Sequence, residues 1–298
     1  MKMEKISTLN SLIGDMLCNE PELVKYLTRY AGEPAVFFQN APGDSQSAWE
    51  GKSQYPRIIY IVDMQADAER KTSGQININI WCRESEIAPE FIEPIVRMVL
   101  CGVFLTPSDG DISYCMEWVR SDAVEIPERE ITQRTQIIGV SMLFDIFAFP
   151  CQITSDPDPI LTINEYTRDA VPGCRIIAYD RLPEIYIPSA ENPAFYWRFG
   201  NMASDKVSWA VSWVTGTLTG HIFTPAVEDR LKWLKAISQQ AVTDEEAIMP
   251  DGSPMFFLGL KADSAADHLR AGQIQIKVKY GILRKREKSV FGLEHCEF

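Results

Sequence analysis

The side chains that most often carry chemistry are few in this chain, and their spacing matches no common kind of site. The three histidines, His221, His268 and His295, are not at the spacing of metal ligands, and no His-Glu-x-x-His motif occurs. The seven cysteines include no Cys-x-x-Cys pair, which argues against a zinc site and a disulfide framework. We therefore predict no catalytic residue, no metal ligand and no cofactor.

Motifs for nucleophilic catalysis and for phosphate binding are also missing. The sequence has no Gly-x-Ser-x-Gly turn and no Gly-x-x-x-x-Gly-Lys-Ser/Thr loop. The acidic pairs Glu84/Glu86 and Asp109/Asp111 are close to turn signals, where solvated charge is the ordinary interpretation. The basic residues at 284–288 could contact phosphate, but a solvated strand end is favoured. A hydrolase that uses Asp or Glu is the weakest of the alternatives.

The order of the predicted elements carries more information, because it occurs twice. Residues 74–81 alternate between apolar and polar side chains and are followed by an apolar helical stretch, a tight turn and a last long strand. The same succession begins again at Gly216. The glycines of the two predicted turns, Gly110 and Gly252, are as many residues apart as Gly74 and Gly216. Repetition at a fixed offset predicts two copies of one structural unit.

The predicted fold class is α+β, with two tandem copies of one unit, each a mixed or antiparallel sheet with helices packed on one face. A chain of 298 residues exceeds the usual ~100–150 residues of one domain. We assign a first domain to residues 1–150, a proline-rich linker to 151–159 and a divergent second copy to 160–298. The first and second halves are the chain before and after this linker.

The repeated strand of the first half has two chemically different sides. Ile76, Ile78 and Ile80 lie on one side, because side chains alternate across a strand, and should pack on a helix. The polar residues between them should line a side that is wet or meets a neighbouring molecule.

Helix starts are predicted from capping residues and prolines. Asn19 is expected to cap the second helix, and Thr224 is expected to cap a later one, with Pro225 at its first position. A further helix is expected at residues 89–102, where Pro94 disfavours regular helix before it.

Charge and hydropathy limit the function classes. The formal net charge is −12, and residues 1–150 carry 13 Lys and Arg against 22 Asp and Glu, a net of −9. Such acidity argues against a protein that grips nucleic acid through its phosphates. No apolar run reaches the ~18–20 residues of a membrane helix, and the first residues lack the apolar stretch of a secretion signal. We expect a soluble protein in a reducing compartment, with no membrane partner.

Three short motifs of the first half carry a resemblance to a known family. They are Val36-Phe37-Phe38 before Ala41-Pro42, the strand entry at residues 55–58, and above all residues 72–83, which end in Trp81-Cys82-Arg83. In these motifs, and in the helix and hairpin that follow, residues 35–150 resemble the tail terminator (tail-completion, head–tail joining) proteins of long-tailed phages. Cys82 stands where serine is commoner in that family. The second half matches only in the order and spacing of its elements.

The resemblance implies a virion protein that forms a six-fold ring on the end of the tail tube, stops tube growth and joins the tail to the head or neck. Its partners would be copies of itself, the tail tube protein and a neck or head-completion protein. DNA would pass through the lumen without specific binding. Six chains per ring are favoured over three two-unit chains in a pseudo-six-fold ring. The expected location is the tail–neck junction of the virion, assembled in the bacterial host cytoplasm.

Ring contacts are expected at sheet edges and in the polar connection of residues 64–73. Three other functions stay open: a head–tail connector, a tail tube protein with a duplicated domain, and a small-ligand binding module. A tube protein would polymerise alone, and a ligand module would need an apolar cavity between the halves. The candidate subunit-interface or lumen residues are Gln65, Arg70, Lys71, Gln75, Asn77 and Asn79.

Overall fold

The computed structural model describes residues 7–50, 53–125, 137–152 and 154–284 and has the mixed α+β fold that was predicted. Its helices pack on two large β-sheets, and a small third sheet lies in the first half. The helices are α1 (Leu9–Asn19), α2 (Pro21–Val24), α3 (Glu93–Leu100), α4 (Pro159–Ala170) and α5 (Val227–Asp244), and a 3-10 turn spans Pro89–Phe91.

The strands are numbered in chain order. Those of the first half are β1 (Arg29–Tyr30), β2 (Glu33–Pro34), β3 (Val36–Phe38), β4 (Trp49–Glu50), β5 (Arg57–Asp63), β6 (Gly74–Arg83), β7 (Phe104–Leu105), β8 (Ser113–Glu125) and β9 (Ile137–Phe149). Those of the second half are β10 (Arg175–Ile176), β11 (Ile185–Tyr186), β12 (Ala194–Val207), β13 (Val211–Phe223), β14 (Glu246–Ile248), β15 (Pro254–Ala262) and β16 (Ile274–Leu283).

Three sheets result from their pairing. The first sheet has the order β11-β7-β8-β9-β6-β5-β3, and the second sheet has the order β10-β12-β13-β16-β15-β14. The small sheet has the order β2-β1-β4. Strand β11 comes from the second half but belongs to the first sheet, so the two halves share a sheet.

The first sheet buries one face against α1, α2 and α3. Ile76, Ile78 and Ile80 of β6 are fully buried there, together with Ile13 of α1 and Val96 of α3. The alternation predicted for this strand is confirmed, because the polar residues between the isoleucines are half-buried on the opposite face. Removing each aliphatic side chain from water stabilises this core by about 1.5–3 kcal/mol.

The second sheet has its own core against α4 and α5. Trp197 of β12 and Ile276 of β16 are buried in it with Ile163 of α4 and Ile237 of α5. The indole Nε1 of Trp197 donates a hydrogen bond to Oγ1 of Thr167, at 3.0 Å. A buried tryptophan needs such a partner because its N–H group is otherwise left without water.

Two predicted helix caps are wrong by one or two residues. Asn19 is the last residue of α1, and α2 is capped by Glu20, whose Oε1 accepts a hydrogen bond from the backbone N–H of Glu22 at 3.2 Å. Helix α5 begins after Ala226, which has no side chain to cap it. The hydroxyl of Thr224 donates to the carbonyl oxygen of Ala226 (2.8 Å), so this threonine stabilises the turn before the helix instead.

The helix predicted at residues 89–102 is shorter than expected. A 3-10 turn at Pro89–Phe91 comes first, and regular α3 begins at Glu93. Pro94 lies in the first turn of α3, where a missing N–H group is tolerated, but its ring excludes regular helix upstream. Gly102, with φ +74°, adopts a left-handed conformation just after the helix.

The two large sheets place their elements in the same order. In each, a short strand runs parallel to the first long strand, β3 with β5 and β10 with β12, and the other neighbours are antiparallel. In each, a helix joins the second long strand to the closing hairpin, α3 after β6 and α5 after β13. Gly74 pairs with Ile146 as Gly216 pairs with Val278. This register assigns counterparts in the second sheet to residues of the first.

Candidate functional site

The face of the first sheet opposite its helices has an uncharged centre of amide, hydroxyl and apolar side chains, with Arg57, Asp63 and Asp122 in register around it. Side chains alternate along β5, β6 and β9, so every second residue lies on this face. Across the register, Asn77 lies between Ile61 and Leu143. We call this surface the first open face, and its residues are Ile59, Ile61, Gln75, Asn77, Asn79, Trp81, Ser141 and Leu143.

Three of the predicted site residues, Gln75, Asn77 and Asn79, lie on the first open face and are half-buried. The hydroxyl of Ser141 donates to Oδ1 of Asn77 at 3.3 Å, and Nε2 of Gln75 donates to Oδ1 of Asp145 at 3.2 Å. The centre of the face therefore offers amide and hydroxyl groups without a charge.

The other three predicted site residues lie in the connection between β5 and β6. Gln65 and Lys71 are exposed, and Lys71 has φ +56°, a conformation that is uncommon for residues other than glycine. Arg70 differs from them, because its Nη2 is 2.6 Å from Oδ2 of Asp145. The structure thus brings Arg70 and Gln75 together on one carboxylate inside the chain.

Asp145, which is buried, is the centre of a partly exposed ion cluster that joins the halves. Its carboxylate is fully buried and accepts hydrogen bonds from Arg70 (2.6 Å) and from Nη2 of Arg270 in the second half (2.9 Å). Nη1 of Arg270 also binds Glu117 (2.7 Å) and Asp267 (2.6 Å). Burial alone would lower the pKa of Arg270, but hydrogen bonds to Asp267 and Glu117 outweigh it and raise that pKa.

Aromatic side chains from both halves form a buried core beside this cluster. Phe223 packs edge-on against Phe104 and Phe149, at 4.9 and 5.4 Å between ring centroids, and Phe149 also packs on Tyr196 at 5.1 Å. Such edge-to-face pairs add to the stabilisation from burial. We call this core the junction, and its buried residues are Phe104, Cys115, Phe147, Phe149, Ile177, Ala194, Tyr196, Phe223 and Leu269.

Two of the histidines lie beside the junction. Nδ1–H of His221 donates to the carbonyl oxygen of His268 at 2.7 Å, so Nε2 of the neutral ring has no proton. That Nε2 is buried and has no hydrogen-bond partner among the described residues. Burial lowers the pKa of both histidines to about 4, so both are neutral near pH 7. His295 lies outside the described residues.

Acid is expected to destabilise the fold through these two histidines. Their pKa values of about 4 lie below the ordinary 6.5, so the unfolded chain binds more protons between these values. Stability that is fully present above pH 6.5 is therefore lost as the pH falls toward 4. Thermal melts should show this loss, and the double variant His221→Phe/His268→Phe should show a flatter pH dependence. An unchanged slope in that variant would assign the acid sensitivity to other groups.

The corresponding face of the second sheet is also uncovered by helices but carries cations and aromatic rings. Lys261 and Lys277 are exposed. Nζ of Lys279 lies 2.6 Å from Asp205 and 5.4 Å from the ring centroid of Trp213. We call this surface the second open face, and its residues are Trp213, Thr215, Thr217, Thr219, Phe256, Lys261, Gln275, Lys277 and Lys279.

A cavity of about 380 Å³ lies between the halves, next to the junction. Apolar side chains such as Met98, Met116 and Phe223 line it, and Arg230 and His268 add polar groups from the second half. Its size and lining are in the range of small-molecule sites in proteins.

The remaining charged residues considered for chemistry lie at the surface. The acidic pairs Glu84/Glu86 and Asp109/Asp111 are exposed, as predicted. Nη1 of Arg284 donates to the carbonyl oxygen of Ser208 at 3.1 Å, and residues 285–288 lie outside the described residues. The described residues among these are solvated and do not form a site.

Within the described residues, no helix has the length and apolar character needed to cross a membrane. The same residues contain no cluster of three or more His, Cys, Asp or Glu side chains that could hold a metal ion. No protein-family model matches this chain, and no curated protein matches it.

Sequence reasoning missed the residues that connect the halves. One signal was present: Asp145 is a charged residue between Phe144 and Ile146 in an otherwise apolar strand, and such a residue is buried only with partners. Nothing local singles out Arg270, which is 125 positions away from Asp145. The aromatic residues of the junction read in the sequence as ordinary core residues.

Proposed function

We propose that this chain is a structural protein of a phage virion that forms a ring on the end of the tail tube, stops tube growth and joins the tail to the neck. The observation that carries the proposal is that, among the described residues, helices cover only one face of each large sheet. Two broad sheet faces and their edges are left for contacts with other molecules. The motif at residues 72–83, which resembles tail terminators, forms the end of the β5–β6 connection and all of β6.

The chemistry of the first open face suits a surface that meets protein or lines a lumen. Asn77 and Asn79 lie in its centre with Ser141 and Leu143, and none of these carries a charge. DNA is held mainly through its phosphates by Lys and Arg, so such a face would let DNA pass without binding it. The partners are copies of this chain, the tail tube protein and a neck or head-completion protein.

Tube length measures the proposed activity directly. Tail tube protein that polymerises on its own should stop growing when this chain is added, and electron micrographs should show a ring at one end of each tube. A head–tail connector would leave tube length unchanged. A tube protein would form long cylinders without any partner. Either of these two results would replace the proposed function.

Charges on the first open face are expected to weaken ring assembly. Replacing Asn77 and Asn79 by lysine places two cations on half-buried positions, where desolvation and mutual repulsion cost free energy. The ring should dissociate at protein concentrations at least about tenfold higher than for the natural chain. The control is Gln239→Lys/Thr243→Lys on the exposed side of α5. Unchanged assembly of the first variant would place these asparagines away from any subunit contact.

A second candidate, a small-ligand binding module, is favoured by one observation, the cavity beside the junction. A ligand with an apolar body and an acidic group would match its apolar wall and Arg230, because the other charged group of the lining, Glu117, is already paired with Arg270. Binding to the folded protein raises the melting temperature with ligand concentration. A panel of small carboxylic acids should therefore shift the melt of the natural chain and not that of Arg230→Leu. No shift with any of them would count against this candidate.

A further inference from the structure

The junction inside the chain joins two different ends of the two sheets. Each sheet has a hairpin end, where its first two long strands are connected, and a far end, where a helix follows the second long strand. Phe147 and Phe149 lie at the hairpin end of the first sheet, since Ile146 pairs with Gly74 at the start of β6. Ala194 and Phe223 lie at the far end of the second sheet. The contact is therefore head-to-tail.

Within the part of the chain that the structure describes, the hairpin end of the second sheet and the far end of the first sheet are free. The register assigns Glu246, Phe256, Lys279 and Gly281 of the second sheet as counterparts of Phe104, Cys115, Phe147 and Phe149. It likewise assigns Phe37, Arg57, Ile59 and Trp81 of the first sheet as counterparts of Ile177, Ala194, Tyr196 and Phe223. These eight residues of the junction are buried, whereas their eight counterparts are half-buried or exposed.

The edges of the sheets differ in the same way. In the first sheet, β7 is paired on its outer side with β11 from the second half. Its counterpart in the second sheet, β14, is the edge strand, and Ile248 of β14 is 64% exposed. An unpaired edge with an exposed apolar residue is a template for another strand. In the second half, β11 lies in the connection between β10 and β12. The corresponding connection of the first half, between β3 and β5, contains β4, which is an edge strand of the small sheet.

We propose that the hairpin end of the second sheet binds the far end of the first sheet of another copy of this chain, repeating between chains the contact that joins the halves within one. The proposal rests on the ring-forming function proposed above and names the surfaces that close the ring. It includes strand addition, in which β4 of the neighbour pairs with β14. Heterologous contacts of this kind close into a ring when the rotation fits.

Complementarity between the two free ends supports a second copy as the occupant. At the free hairpin end, Gly281 stands at the position of Phe149, so an aromatic ring is missing there. At the free far end, the larger Trp81 stands at the position of Phe223, and its bigger ring compensates for the missing one. Lys277, which is exposed, would meet the first half, whose net charge is −9 from 13 Lys and Arg against 22 Asp and Glu.

This contact between chains determines how many chains make up the ring. If the internal and external contacts are equivalent, sheets and not chains are the repeating units. A six-fold ring then contains three chains, which is the pseudo-six-fold arrangement. The ion cluster is not repeated, because Lys277 stands at the position that corresponds to Asp145.

Two single substitutions test the two free ends independently. Ile248→Asp places a charge at the free hairpin end, and Ile59→Asp places one at the free far end. Each variant alone should remain a single chain, with assembly at least about tenfold weaker than that of the natural chain. Gln239→Asp, at an exposed residue of α5, and Phe91→Asp, at a 67% exposed residue, are controls that should assemble normally. Melting temperatures show that the four variants fold.

A mixture of the two variants tests the head-to-tail geometry. Ile248→Asp keeps an intact far end and Ile59→Asp keeps an intact hairpin end, so an equimolar mixture should form a species of two chains and stop there. Analytical ultracentrifugation distinguishes the masses. A mixture that stays at single-chain mass, or a single variant that still forms the ring, overturns this interface while the ring itself stands. A natural chain that never assembles overturns the ring-forming function as well.

Discussion

Replacing Asp145 by asparagine is expected to lower the free energy of unfolding by about 3–5 kcal/mol. The carboxylate is fully buried and binds both Arg70 and Arg270. The variant leaves two partly buried guanidinium groups facing a neutral amide, and breaking a buried ion pair from one side is costly because the remaining charge stays desolvated. Since Arg270 belongs to the second half, the loss weakens the contact between the halves.

Urea denaturation followed by tryptophan fluorescence measures this change in the free energy of unfolding. The matched control is Asp122→Asn on the neighbouring strand β8, where the carboxylate pairs with Arg120 at 3.3 Å and both side chains are exposed. Exposed pairs contribute about 0–1 kcal/mol, so this control should unfold almost like the natural chain. Equal effects of the two substitutions would show that the ion cluster does not hold the halves together.

Truncating Phe149 to alanine is expected to lower the free energy of unfolding by about 3–5 kcal/mol. Its ring is buried and contacts the rings of Phe104 (5.5 Å), Tyr196 (5.1 Å) and Phe223 (5.4 Å). The substitution removes these contacts and leaves a cavity that rigid neighbours on two sheets fill poorly.

The control for this truncation is Phe38→Ala. Phe38 also contacts an aromatic ring, that of Tyr60 at 5.5 Å, but it is 38% exposed and distant from the junction. Denaturant midpoints should therefore move much less for Phe38→Ala than for Phe149→Ala. A junction substitution no more harmful than this control would mean that the halves are held together elsewhere.

The elements of the fold were largely predictable because local patterns specify them. Alternation placed Ile76, Ile78 and Ile80 on the buried side of β6, and the helical spacing after them marked α3. Helix starts were less accurate. A capping threonine and a following proline predict a start at Pro225, but the chain completes another turn before α5 begins at Val227.

The candidate site was predictable only in part, because its contacts are long-range. Asn77 and Asn79 followed from alternation, whereas the contact of Arg70, a candidate interface or lumen residue, with Asp145 did not. That pair is 75 positions apart, and no local pattern reports which arginine reaches a buried carboxylate. Strand β11 has only two residues, which is too short for a periodic pattern to predict that it pairs with the sheet of the other half.

The mass of the assembled protein in solution tests the central claim most directly. Native mass spectrometry or analytical ultracentrifugation of the natural chain should give a closed ring of three or six times the 33.7 kDa of one chain, with no intermediate series of larger species. Three copies fit the repeated junction, and six copies fit a ring in which the second half is an added outer part. A chain that stays at 33.7 kDa at every concentration would contradict the account.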